Sequence, residues 1–332
     1  PPDDIIRPLH CGQNIIIANG IPTKINSWLD RAAGATHRGV QPERAHKCLM
    51  SHKPKSERMK NYLVLISCIC FLIFLIPGRF RKYFAIGGWA SIVCYLFLEL
   101  PYYFSINNFM YPAMAFLSVP FLYITAKHLL RADPRVMQLS MIAAVAFLIY
   151  APFGYIPALG DWLIAAVANQ TSTVLAAIGY PVNFTAWNVM ERNGFRTEII
   201  LACTGIQSIA IMLGVAWGVR STLQQKIVGF FLVFPTIYIL NILRNAFVVI
   251  AYTEQWFPYL PGIASNGEFG YESFFWAHNV MAEFGALIFL VILAYALFTI
   301  LPELGNLADG LYQLYRGEVE QIIRPKTGMS DP

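Results

Sequence analysis

Between Tyr62 and Ile300 the chain is a succession of apolar runs, and nothing constrains its fold more. Seven of them read as helices: Tyr62–Ile76, Phe84–Leu100, Phe109–Thr125, Val136–Pro152, Ile199–Val219, Ile227–Tyr252 and Phe274–Ile300. About 20 apolar residues cross a bilayer. The last three runs meet that length, the first is short, and the second to fourth are marginal. Pro112 and Pro120 are set to kink the third. Of 332 residues, 57% are hydrophobic and 13% charged, where globular chains run near half and a quarter. One soluble core cannot hide that apolar excess. A soluble dinucleotide-binding enzyme, a disordered protein and a disulfide-framed miniprotein are excluded. The expected fold is all-α: a polytopic transmembrane helical bundle of about seven spans, or eight, with an outer interfacial helix and loop region.

Net charge is +5, which taken alone suggests nucleic acid. Its location argues otherwise. Residues 1–60 hold ten Lys/Arg and five Asp/Glu, whereas residues 61–332 hold fourteen of each. The apolar body is neutral, so no nucleic-acid partner is expected. Residues 1–58 lack periodicity, and their one apolar stretch, Ile15–Ala18, is too brief for a signal peptide. They read as a basic extension, disordered or non-native, with the functional module running from Met59 to residue 300 and a cytoplasmic tail over 301–332. Six cysteines, Cys11, Cys48, Cys68, Cys70, Cys94 and Cys203, form no CxxC pair and no metal spacing. No disulfide framework or redox compartment can be read from them, and no metal or cofactor site is expected.

Lys and Arg in the loops set orientation. Arg79, Arg81 and Lys82 mark one side, and Lys127, Arg131 and Arg135, then Arg220 and Lys226, then Arg316, Arg324 and Lys326 mark it again. The opposite loops, Tyr102–Asn108 and Glu254–Ser273, carry no basic residue. The basic side is therefore expected to be cytoplasmic. Lys53, Lys55, Arg58 and Lys60 conflict with this scheme, which puts them outside. The long outer loop Phe153–Glu198 contains a helical stretch, Asp161–Gly179, with Asn169, Gln170, Thr171 and Ser172 in its middle; it is expected to lie in the interface rather than to span. N-x-T triplets begin at Asn169 and Asn183.

Ionisable groups at membrane depth are costly, so each is a functional candidate. Arg244 lies eight residues before Tyr252, about 12 Å below the outer end of its helix. Asn241, Arg244 and Asn245 fall at i, i+3 and i+4 and form one polar face. Cys203 opens the fifth run at its outer end, with Gln207 at i+4. The first turn of a helix favours thiolate, although a cysteine taken alone is more often an inert small hydrophobe. His278 opens the seventh run at the same end, amid Phe274, Phe275 and Trp276. It is either a base near neutral pH or a member of the interfacial aromatic belt. Glu283, five residues on, is expected off the His278 face and pairs better by spacing with Asn279. Thiol, imidazole and guanidinium at one depth suit nucleophilic catalysis, provided the three helices pack together.

Ala202-Cys-Thr-Gly-Ile-Gln207, then Asn241-Ile-Leu-Arg-Asn245, then a His in the next span, resemble the exosortase/archaeosortase family, nearest its archaeosortase branch. The likeness covers about Met59–Ile300 and is sharpest over Thr197–Ala286. It implies a polytopic membrane cysteine transpeptidase acting at the outer face, with Cys203 as nucleophile, Arg244 as the family's arginine and His278 in the third catalytic position, where some archaeosortases carry Arg. Gln207, Asn241, Asn245 and Asn279 are candidate supporting residues. The implied partners are membrane-anchored proteins with a C-terminal sorting signal, namely a Pro-Gly-Phe-type motif followed by an apolar helix. The implied acyl acceptor is an amine, such as a lipid headgroup. Two other classes fit the bare residues: a transporter or channel with Arg244, His278 and Glu283 along an ion or proton pathway, and a non-catalytic scaffold for a partner helix.

Overall fold

The computed structural model describes residues 9–10, 55–105, 109–265 and 267–323. The expectations for residues 1–58 lie outside this set, except at Leu9–His10 and from Lys55 onward. The chain divides into two compact units, one holding residues 14–74 and 78–127, the other 1–13, 75–77 and 128–332.

In the first unit, α1 (Lys55–Leu75), α2 (Arg81–Ser105) and α3 (Met110–Leu130) carry the first three apolar runs. Gly88 on α2 leaves room for Phe71, whose ring a Cβ there would meet at 2.8 Å. Ser67 Oγ donates to the Gly88 carbonyl at 3.2 Å. Phe71, Trp89 and Phe121 continue edge to face from one helix to the next. Lys60 pairs with Glu99 at 2.8 Å, so one of the basic residues flanking the first run is neutralised within the unit.

The second unit contains α4 (Pro134–Tyr155), where Asp133 caps the helix by accepting from Arg135 N, and Pro134 fills a first-turn position that has no donor to lose. Next come α5 (Pro157–Ala177), α6 (Ile206–Gly218), α7 (Leu223–Thr253), the single turn α8 (Pro261–Ala264), α9 (Tyr271–Ile300) and α10 (Pro302–Ile323). Thr222 and Gln225 form a reciprocal capping box at the start of α7. Gly214 and Gly218 let α6 meet α4 backbone to backbone: a Cβ on Gly218 would lie 2.5 Å from Ile142 Cα, and one on Gly214 would lie 2.7 Å from Ala146 Cβ. This is the small-residue spacing of close membrane helix pairs. Along α9, Phe284, Leu287, Val291 and Tyr295 are exposed, the outward apolar face of a membrane helix. Among the described residues, five helices are long and apolar enough to cross a membrane, those at Arg81–Phe104, Met110–Leu130, Pro134–Tyr155, Leu223–Thr253 and Tyr271–Ile300. The chain is an all-α polytopic membrane bundle.

The structure bears on the sequence reading at four places. The fifth run is a helix over Ile206–Gly218 only, 13 residues or about 20 Å, because Gly205 at φ 75° breaks the chain before it. The helix expected within the long loop exists as α5, and it has a buried face of Leu163, Val167, Ala168, Thr171 and Leu175. The rest of that loop is not irregular. Strands β2 (Asn183–Ala186), β3 (Val189–Arg192) and β4 (Phe195–Glu198) form a sheet in which Leu9–His10, β1, pairs parallel with β4, giving the order β1-β4-β3-β2. The tail, for which the sequence suggests no element, contains α10. Its Leu304, Leu307 and Leu314 are buried, and its Glu318 Oε1 lies 2.9 Å from His128 Nε2.

Candidate active site

The turn carrying Cys203 is delivered by a hairpin. Asn193 and Gly194, at φ 53° and 81°, form the two-residue connection between β3 and β4, the conformation that matches strand twist. Asn193 Nδ2 donates to Thr253 O at 3.2 Å, and Arg192 Nε donates to Glu254 Oε1 at 2.9 Å, so the hairpin is tied to the end of α7. At its other end Asn188 closes over the exit, with Ile199 N donating to Asn188 O at 2.9 Å and Asn188 Nδ2 to Ile199 O at 3.0 Å.

A 3₁₀ turn, Leu201–Thr204, follows, with Cys203 N donating to Ile200 O at 2.8 Å. Cys203 is buried among Leu163, Val167, Leu175 and Met190. It is disulfide-bonded, which the cysteine spacing does not allow to be read. Helical spacing predicts Cys203 and Gln207 on one face. The left-handed Gly205 instead separates the turn from α6 and redirects the chain, and Gln207 is exposed.

The polar face of α7 serves two directions. Asn241 and Asn245, one turn apart, both donate through Nδ2 to the Cys203 carbonyl, at 2.7 and 2.8 Å. Gly205 makes this approach possible, since a Cβ there would lie 3.1 Å from Asn241 Cγ. Arg244 turns the other way and reaches α9, with one guanidinium nitrogen 3.3 Å from His278 Nε2 and 3.2 Å from Glu283 Oε1. Arginine has donors only. His278 Nε2 is therefore the acceptor, the ring proton sits on Nδ1, and Nδ1 donates to Asn279 Oδ1 at 2.7 Å. Phe274 stacks on the imidazole at 5.0 Å between centroids. His278 is buried, the Arg244 side chain is 17% exposed and that of Glu283 is 55% exposed.

Glu283 joins the His278 group because Phe275–Ala282 is a π-helix. Its hydrogen bonds close i→i+5, which brings residues five apart onto one face. The α-helical spacing predicts Glu283 elsewhere. Thus Asn241, Asn245 and the Cys203 main chain form one group, while Arg244, His278, Asn279 and Glu283 form another; both hang on the same two turns of α7, and Gln207 belongs to neither group. Sequence reasoning missed Gly205 and the hairpin. The dipeptide Asn193-Gly194 between alternating residues was the available signal for the hairpin.

The family model for transmembrane exosortases matches residues 55–298. Archaeosortase A of Natronomonas pharaonis is 32% identical over 215 residues, covering 58% of this chain and 67% of that protein. Archaeosortase A of Haloferax volcanii is 28% identical over 214 residues, covering 58% and 70%. No solved structure matches the chain.

Proposed function

The chain belongs to the transmembrane exosortase family, and on that premise we propose that it is a membrane-embedded cysteine transpeptidase that cleaves C-terminal sorting signals through Cys203. Its substrates are membrane-anchored proteins that end in a short Pro-Gly-Phe-type motif and an apolar helix. The observation that carries this reading is the double grip of Asn241 and Asn245 on the Cys203 carbonyl. It ties the thiol-bearing turn to the helix whose Arg244 meets His278.

The chemistry starts from the free thiol, so the disulfide at Cys203 has to be reduced first. His278 Nε2 takes the thiol proton, and the thiolate attacks the scissile carbonyl. A protonated Nε2 no longer accepts from Arg244. The guanidinium is thereby released toward the oxyanion, whose charge it stabilises. Collapse breaks the C–N bond, the departing amine takes the proton from Nε2, and a thioester remains on Cys203. An acceptor amine, such as a lipid headgroup, then attacks the thioester and regenerates the thiolate. The site works on the extracytoplasmic side, the side poor in Lys and Arg. The test is to incubate the reduced protein with a peptide bearing a sorting signal and look for a hydroxylamine-labile adduct. Cys203→Ala abolishes both adduct and cleavage; cleavage that survives Cys203→Ala overturns the proposal.

A further inference from the structure

Glu283 has a feature the cleavage half-reaction does not use. Only Oε1 meets Arg244, at 3.2 Å, and Oε2 has no partner among the described residues. The carboxylate is more than half exposed beside a buried imidazole. Around it the surface is apolar and open: Val280, Met281 and Phe284 are exposed, and a Cβ on Gly285 would meet nothing within 4 Å. An ionised group is costly on such a face unless it has a counter-ion; Arg244 supplies one, but through a single monodentate contact that leaves half of this carboxylate unused.

We propose that Glu283 is the acceptor subsite, taking a primary amine in its ammonium form on Oε2. The inference rests on the transpeptidase reading above. Bound there, the ammonium lies on the side of α9 that also carries His278, through the π-helical alignment of the two residues. The ammonium gives one proton to His278 Nε2, which passes it to solvent. The neutral amine attacks the Cys203 thioester, forming a C–N bond as the C–S bond breaks. The second N–H proton passes through His278 to the departing thiolate. Acceptor and thioester become an amide, a thiol and one released proton. The apolar rim suits an amine carried at the head of an amphiphile.

The experiment measures partition, which does not depend on how fast the thioester forms. Reduced protein and sorting-signal peptide are mixed with ethanolamine, with an ethanolamine-headed phospholipid in the bilayer, or with hydroxylamine, which is uncharged near neutral pH. For Glu283→Gln the ratio of amine-ligated to hydrolysed product falls about tenfold or more for ethanolamine and its lipid, the worth of one charge-assisted hydrogen bond. It stays unchanged for hydroxylamine, and Glu283→Asp recovers part of the loss. A greater fall with the lipid than with ethanolamine identifies the headgroup as the source of the amine; an equal fall identifies a soluble amine. An equal fall for charged and uncharged nucleophiles overturns the proposal, since it means Glu283 acts only by positioning Arg244. No fall at all overturns it as well. A wild-type protein that forms no thioester refutes the transpeptidase reading instead.

Discussion

At the scale of single residues, Gly205 carries two requirements. Its φ of 75° is unfavourable for any side chain, and its Cα faces Asn241 at a distance a Cβ would crowd. Gly205→Ala is expected to cost roughly 1–2 kcal/mol from the left-handed conformation alone. It also pushes Asn241 off the Cys203 carbonyl, so activity falls more than the melting temperature indicates; thermal unfolding and cleavage measured side by side test this. Asn241 and Asn245 share one acceptor. Removing either leaves the carbonyl one partner, whereas removing both leaves it without either amide at a cost of about 1–3 kcal/mol. A double-mutant cycle of the two alanine variants should therefore be non-additive, and a sum equal to its parts contradicts the shared grip. The polar face itself was legible from the i, i+3, i+4 spacing of Asn241, Arg244 and Asn245. Its split into two tasks was not, because spacing puts residues on a face but does not say which neighbour each reaches.

Helices and strands were legible unevenly. The long apolar runs announced α2, α3, α4, α7 and α9 through length and hydropathy, which local composition records. The hairpin between β3 and β4 went unread although its Asn-Gly turn was present, because a stretch of four residues on either side is too short to outweigh an apolar chain read as helix. The π segment of α9 has no compositional mark, since the change from i→i+4 to i→i+5 shifts hydrogen-bond register and not residue type. The contact of α4 with α6 offers a test at this scale. Gly218→Val puts side-chain atoms where Ile142 backbone already lies. The helices have to part, costing about 1–3 kcal/mol or more, and expression and melting temperature should fall while Gly285→Val, which faces open space, leaves the melting temperature nearly unchanged.

On the scale of the molecule, the C-terminal helix α10 is clasped to the start of α4. Arg135 bonds Asp133 at 2.8 Å and the Gly310 carbonyl at 3.2 Å, and His128 lies between Asp133 and Glu318. The hydrogen bond from Arg135 holds the Asp133 carboxyl below its ordinary range. A depressed folded-state value means this stability is present above the unfolded value, about 3.9, and is lost as pH falls through the folded one. Asp133→Asn keeps the helix cap but not the charge. It should lower the melting temperature at neutral pH by an amount that shrinks as wild type is acidified below about pH 4; a difference independent of pH refutes the assignment. A last consequence concerns bilayer thickness. The α6 helix spans about 20 Å and α7, at 31 residues, about 46 Å, while the hydrocarbon layer is about 30 Å thick. No single thickness fits both, and thinning of the bilayer beside the short helix whose first residues follow Cys203 is one way to accommodate the difference. Chain length then becomes a variable of the reaction: in nanodiscs, cleavage should be faster in short-chain than in long-chain phospholipid, because the thinner layer leaves the Cys203 turn nearer to water and headgroups.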